Sequence, residues 1–312
     1  MLNYRNKSVF GLDTYINNNI SSKISINLGN FLVNFKKKHS LLCFKNATIR
    51  NDEKKVLIKI DVESNSIDAI SENIKFSLID GLILVCNEDK YILESLNIQL
   101  GTKIFTKNDC IKVIYGNDHI LFNLHIVYIS YKFYIGCHNY FQINNHELPN
   151  LYMYIYELCK NIKVNKIICV GDDSGNISMI LSHIYKEVIV YIPCEKSYNA
   201  SLYNLSINNI NNIRLYNLGK KYSEILDINN DHLMLINPGR KGICDDNINY
   251  INNNMKIKNL IYMSCKPKTL DNDLKKIKFN LISKKSLNMF ENVDNYCENV
   301  VLLKSDKNDY KN

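Results

Sequence analysis

Lys166-Ile167-Ile168-Cys169-Val170-Gly171-Asp172-Asp173-Ser174-Gly175-Asn176 decides the fold, because a short β-branched run breaks at a glycine turn and a helical pattern follows at once. The same rhythm repeats toward the carboxyl terminus. Strands are expected at Lys166–Val170, Val188–Ile192, Ile213–Asn217, His232–Asn237 and Leu260–Cys265, then at Phe279–Phe290 and Glu298–Lys304. Helix-sized segments lie at Asn176–Ile184, Tyr198–Ile210, Tyr222–Leu226, Asp245–Met255 and Thr269–Lys278. Five β/α units followed by two strands without a helix between them predict an α/β fold with a seven-stranded, mostly parallel, doubly wound sheet. Such sheets hold ligands beyond the carboxyl ends of their strands.

Upstream the pattern changes. β-rich segments at Lys23–Phe35 and Lys112–Ile135 flank a strand, helix, strand pattern at Val56–Val62, Ser66–Leu78 and Gly81–Val85, which predicts a smaller α+β module. With no Pro- or Gly-rich linker to mark a boundary, the division is placed at residues 1–125 and 126–312.

The 312 residues suffice for two domains, and 46% hydrophobic with 22% charged residues excludes a disordered polyelectrolyte or a fibrous chain. A balance of 39 basic against 31 acidic residues gives +8, carried almost wholly by lysine, since Arg5, Arg50, Arg214 and Arg240 are the only arginines. That charge suits a polyanionic partner. Ten cysteines without a C-x-x-C pair argue against a zinc ribbon or a clustered iron–sulfur site, and scattered thiols without a secretory signal point to a reduced, cytoplasmic protein. No apolar run approaches the ~18 residues of a membrane helix, and the seven histidines show no metal-ligand spacing. Asparagine runs such as Asn252-Asn253-Asn254 read as coding bias, because hydrophobic periodicity continues around them.

The chemistry gathers at strand ends. Ser264-Cys265-Lys266-Pro267 closes the fifth strand and would point Cys265 into the ligand crevice, although a thiol there is more often packed than catalytic. Asn237-Pro238-Gly239-Arg240-Lys241-Gly242 closes the fourth in a tight turn, and Glu298 puts a carboxylate at the start of the apolar last strand. Lys36-Lys37-Lys38-His39 is a candidate phosphate contact or a solvated turn.

These stretches resemble the S-adenosylmethionine-dependent RNA uracil-5-methyltransferases, which make 5-methyluridine in transfer and ribosomal RNA. The family's Phe-Phe-Gln-x-Asn run resembles Tyr140-Phe141-Gln142-Ile143-Asn144, and its Asp-Pro-Pro-Arg-x-Gly turn resembles Asn237 to Gly242. Its Ser-Cys-Asn-Pro loop resembles Ser264 to Pro267, and its Phe-Pro and Glu-x-Val-x-Leu-Leu segment resembles Met289-Phe290 through Leu303. The segment Asn204–Ile213 looks like the helix after the cofactor acid, and Tyr4-Arg5-Asn6-Lys7 looks like the first strand of the RNA-binding module. The likeness is strong after about residue 130 and weak before it.

The resemblance implies a Rossmann-like methyltransferase sheet behind an RNA-binding domain, with S-adenosylmethionine as cofactor and neither metal nor iron–sulfur cluster. It implies catalysis by Cys265, whose thiolate adds to C6 of a flipped uracil, and by Glu298, which removes the C5 proton after methyl transfer. Lys266 would favour the thiolate. Cofactor binding falls to Gln142, Gly171, Gly175, Asn176, Ile192 and Asn237, and RNA binding to Tyr4, Arg5, Lys7, Lys36, Lys37 and Lys38. Structured RNA, transfer RNA first, is the implied partner of a monomer, because this chain begins where the module begins and lacks the cysteine cluster of some members.

Departures concentrate in the cofactor loop. Asp173 replaces a glycine, Ile192 stands where the ribose-binding acid is counted, and Asn237 replaces an aspartate. Weak cofactor binding is the expectation, and the alternative is a methyltransferase-derived protein that binds or remodels RNA without catalysis. A protein or DNA methyltransferase ranks third, since it leaves the Ser-Cys-x-Pro and Glu pair unexplained.

Overall fold

The computed structural model describes residues 7–11, 13, 22–41, 44–51, 55–62, 71–88, 95–102, 111–136, 139–142, 144–171, 173–217, 222, 230–290 and 295–306. The chain divides into two compact units. One comprises Met1–Phe122, Tyr134–Cys137 and Ile143–Asn145; the other comprises Asn123–Phe133, His138–Gln142 and His146–Asn312.

The first unit runs β1 (Lys7–Gly11), α1 (Lys23–Lys38), β2 (Phe44–Asn51), β3 (Lys55–Val62), α2 (Glu72–Glu88), β4 (Ser95–Thr102) and β5 (Ile111–Tyr115). Its five strands lie in sequence order, antiparallel except for β3 and β4, which pair in parallel because α2 returns the chain between them. The β-rich reading of Lys23–Phe35 is corrected here to helix. Ile24, Leu28, Leu32 and Phe35 recur at helical spacing and bury against Ile49, Ile58 and Ile60, while the Ser22 hydroxyl accepts the Ser25 N–H (3.3 Å) at the N-cap. Likewise Gly81–Val85, expected as a strand, continues α2, whose Leu78 and Leu82 join the same core. A short apolar run does not distinguish a strand from a buried helix turn.

Strands β6 (His119–Ile126) and β7 (Ile129–Gly136) form a two-stranded sheet, and α3 (Leu148–Lys160) follows. The second unit then continues as β8 (Lys166–Val170), a 3-10 turn at Asp173–Gly175, α4 (Asn176–Leu181), β9 (Glu187–Tyr191), α5 (Glu195–Ile207), β10 (Ile213–Tyr216) and β11 (His232–Ile236). It ends with α6 (Asp245–Asn253), β12 (Ile257–Ser264), α7 (Pro267–Leu274), β13 (Phe279–Leu287) and β14 (Glu298–Ser305). Of the expected helix Tyr222–Leu226 only Tyr222 is described.

The seven-stranded α/β sheet has the order β10-β9-β8-β11-β12-β14-β13, parallel from β10 to β12 and antiparallel at β14 and β13. Sequence order reverses between β8 and β11, which opens a crevice at their carboxyl ends. The strands between are buried on both faces, as the all-buried residues of β11 show. Among the described residues no helix is long and apolar enough to cross a membrane.

Candidate active site

Strand β12 ends at Ser264, and Pro267 starts α7 where its missing N–H costs nothing. Between them Cys265 is half-buried and forms no disulfide with another described residue. Strand β14 lies antiparallel to β12 with Ser264 opposite Asn299, and the N–H of Cys297 donates to the carbonyl of Cys265 (3.2 Å). The register therefore brings Cys265 and Glu298 to the same strand end. Asn299 fixes that end by donating to the carbonyls of Cys297 (2.8 Å) and Ser264 (3.4 Å) while accepting from the Ser286 hydroxyl (2.7 Å).

Glu298 is 2% exposed, and burial without an offsetting cation pushes its carboxyl up to about 8. A carboxyl poised there can give or take a proton near neutral pH.

A cavity of about 510 Å³ opens at the carboxyl ends of β8, β9 and β11, lined among others by Gly171, Tyr191, Pro193, Tyr222, Asn237 and Arg240. Gly171 adopts φ +77°, and a Cβ there would collide with the Asn237 carbonyl, so this turn admits only glycine. The three strand ends are joined by Gly171 N–H to the Tyr191 carbonyl (3.0 Å) and Asn237 N–H to the Val170 carbonyl (2.9 Å). Next to the turn, Asn176 opens α4 fully buried, and neither polar atom of its side chain has a hydrogen-bond partner among the described residues.

The Tyr140-Phe141-Gln142 run is tied to the 3-10 turn. Ser174 donates its hydroxyl to the Tyr140 carbonyl (2.9 Å) and accepts from the Asn139 amide (3.1 Å). Gln142, 2% exposed, accepts from the Tyr140 hydroxyl (3.4 Å). Asn204 donates to the Ser174 carbonyl (3.1 Å), and Asn212 to the carbonyls of Ser182 (2.8 Å) and Tyr185 (3.2 Å). Of the asparagines following the expected acid, Asn204 thus staples this turn, whereas Asn212 holds the segment between α4 and β9.

The structure thus brings Gly171 and Asn237 together at the cavity, with Gly175 and Asn176 in the adjoining turn. Ile192 is 1% exposed and lies between the lining residues Tyr191 and Pro193 without lining the cavity itself. Tyr4, Arg5 and Asp172 lie outside the described residues. Lys7 begins β1, and the lysine run forms the last turn of α1: Lys36 is buried with its Nζ on Asp13 (2.6 Å), whereas Lys37 and Lys38 are exposed.

Sequence reasoning missed Asp273, which receives the Tyr262 hydroxyl and the Ile243 N–H and so holds the loop after β11. The one signal was Gly242, whose φ of +74° leaves room for no Cβ beside Thr269 and Asp273. Tyr191 and Tyr222, which line the cavity, carried no sequence signal. Arg240 stacks over the Tyr296 ring (5.3 Å), linking this loop to the segment before Glu298.

The sequence profile of the tRNA (uracil-5-)-methyltransferase family matches residues 85–305. A putative RNA methyltransferase of Acanthamoeba polyphaga mimivirus is 30% identical over 68% of this chain and 56% of its own length. A tRNA/tmRNA (uracil-C(5))-methyltransferase of Nautilia profundicola is 27% identical over 70% and 60%. The chain spans about half the length of the curated relatives it matches. Among solved structures, the Pyrococcus abyssi tRNA (uracil-54, C5)-methyltransferase in complex with S-adenosyl-L-homocysteine superposes with a TM-score of 0.72 at 15% identity, covering 96% of this chain and 76% of that one. This likeness shows a shared fold.

Proposed function

Because the chain belongs to the tRNA (uracil-5-)-methyltransferase family, we propose that it methylates C5 of a uridine in structured RNA, specifically transfer RNA, with S-adenosylmethionine as methyl donor. The observation that supports this reading is the strand-end register that brings Cys265 and the buried Glu298 to the same end of the sheet. The Cys265 thiolate adds to C6 of a uracil flipped from its stack, forming an S–C6 bond and raising electron density at C5. Once C5 carries the methyl group, Glu298 in its ionised form takes the remaining C5 proton, and the S–C6 bond breaks to return the thiolate and the aromatic pyrimidine.

The cofactor fits the residues at hand. Gly171 and Gly175 carry no Cβ at the two ends of the loop, Asn237 lines the same cavity, and the amide of Asn176 offers a donor and an acceptor that no other described residue uses. These four, with Gln142 behind them, would hold S-adenosylmethionine, which supplies an electrophilic methyl group when bound. Ile192 contributes no carboxylate toward a ribose, which favours weak binding and keeps a second reading open: an RNA-binding protein derived from a methyltransferase, without turnover.

Transfer RNA carrying 5-fluorouridine separates the two readings, because fluorine blocks the proton removal assigned to Glu298. Incubation with that RNA and S-adenosylmethionine should yield a denaturation-resistant adduct with the parent protein and none with Cys265→Ala. RNA binding by a parent protein that never forms the adduct would instead support the non-catalytic reading.

A further inference from the structure

Two-residue hairpin turns of type I′ place both central residues at positive φ, which Asn-Gly accepts and β-branched or bulky residues resist. The turn between β6 and β7 is built from Val127 (φ 52°) and Tyr128 (φ 66°), an unfavourable pair. No described residue packs over the tyrosine to compensate, since its side chain is wholly in solvent at 106% relative exposure. Strain of this kind persists where a neighbouring structure or a function requires it.

The hairpin end is rigidly mounted within its own unit. Asn208, at the C-cap of α5, accepts from the Lys132 N–H (2.8 Å) and donates to the Lys132 carbonyl (2.7 Å), gripping β7 as a neighbouring strand would. Leu124, Ile126, Tyr131 and Phe133 bury the inner face, and Tyr131 stacks on Phe133 and meets the edge of His183. The outer face presents Asn123, His125, Ser130 and Lys132 beside Tyr128, with a cation and no carboxylate. An aromatic ring on a stiff, non-acidic support suits a nucleobase, whose flat face stacks on tyrosine while its phosphate meets lysine.

We propose that Tyr128 is a stacking platform for an unpaired base of the RNA substrate, an inference that rests on the RNA-methyltransferase reading above. The base is distinct from the target uridine. Lys132 is held at the C-terminal end of α5, roughly 20 Å along that 13-residue helix from the end that follows the cavity residue Pro193. Tyr128 is therefore a positioning residue that orients the RNA.

The test compares Tyr128→Asn and Tyr128→Phe with the parent, using an unmodified transfer RNA transcript and thermal unfolding of each protein. Asparagine tolerates the left-handed region, so Tyr128→Asn should leave the unfolding midpoint unchanged or raised while weakening RNA binding about tenfold, and Tyr128→Phe should bind as the parent does. Equal affinity of Tyr128→Asn and parent would overturn the proposal. So would a joint loss of stability and affinity, which would make Tyr128 a structural residue. The adduct with 5-fluorouridine RNA is read separately: if it is absent while the tenfold effect persists, catalysis fails as a reading and the platform stands.

Discussion

Tyr262 donates its hydroxyl hydrogen to Asp273 Oδ2 across 2.5 Å, and the N–H of Ile243 donates to the same oxygen across 2.9 Å. One carboxylate on α7 thus joins the middle of the sheet to the loop that carries Asn237 and Arg240 to the cavity. Burial first, and then Asp273, hold the Tyr262 phenol protonated well beyond its usual range. Asp273→Ala would leave two buried donors unpaired, at about 1–3 kcal/mol each. We expect a loss of about 3 kcal/mol by chemical denaturation and about 1 kcal/mol for Tyr262→Phe, with the double variant no worse than Asp273→Ala alone. Simple additivity would show that the three groups do not act as one network.

Glu298 yields opposite pH trends for stability and for rate. In the folded protein its carboxyl is held up to about 8, against 4.5 for an unperturbed glutamate, so the folded state binds more protons between those values. The stability of the protonated form is complete below pH 4.5 and is lost as pH rises through 8. Glu298→Gln, which imitates the neutral acid, should be more stable than the parent at pH 8, by on the order of 3 kcal/mol. Proton removal needs the ionised form, so parent kcat/KM should climb toward pH 8 while the variant makes no 5-methyluridine. A parent rate already level from pH 6 upward would contradict this assignment.

The cofactor loop divides into positions that tighten binding and positions that only stabilise. Asn176→Leu removes two buried polar atoms that lack partners among the described residues, so it should stabilise the ligand-free protein by about 1 kcal/mol and abolish S-adenosylmethionine binding in calorimetry. Asn237→Asp restores a charged acceptor at the cavity wall and should tighten binding about tenfold. Ile192→Glu should do neither, because it places an unpaired carboxylate in the core and lowers stability. Tight binding by Ile192→Glu would place the ribose where the cavity does not.

The parallel part of the sheet is legible because its strands are short apolar runs closely followed by Gly, Asn or Pro, as at Val170-Gly171 and Ile236-Asn237. Cys265 and Glu298 stand out for the same reason, since a reactive group at the end of an apolar strand has few structural uses. In the first unit α1 reads falsely as strand, because Ile24, Leu28, Leu32 and Phe35 sit among β-branched and asparagine residues whose local preferences tertiary burial overrides. Asp273 and Asn299 escape notice because their partners are distant in the chain: Ile243 is 30 residues from Asp273, and Ser264 is 35 from Asn299. Pattern reading finds faces of single elements, whereas these bonds exist only after the elements assemble.

The lysines at the end of α1 separate RNA grip from folding. Lys36 is 7% exposed, and its ammonium pairs with Asp13, which lowers the Asp13 carboxyl below its ordinary range. Lys37 and Lys38 remain at the surface, where cations also favour a helix C-terminus by a few tenths of a kcal/mol. Replacing Lys37 and Lys38 together by Ala should therefore leave folding nearly intact, weaken transfer RNA binding, and flatten its salt dependence by about one unit of slope for each phosphate no longer neutralised. Lys36→Ala should show the reverse, a lower unfolding midpoint with an unchanged salt slope. S-adenosylmethionine binding should be unaffected in the double variant, since both lysines belong to the first unit and the cavity is formed within the second. Should the double variant bind RNA as the parent does at every salt concentration, the two lysines serve only as the solvated end of a helix, and the RNA grip must come from other residues.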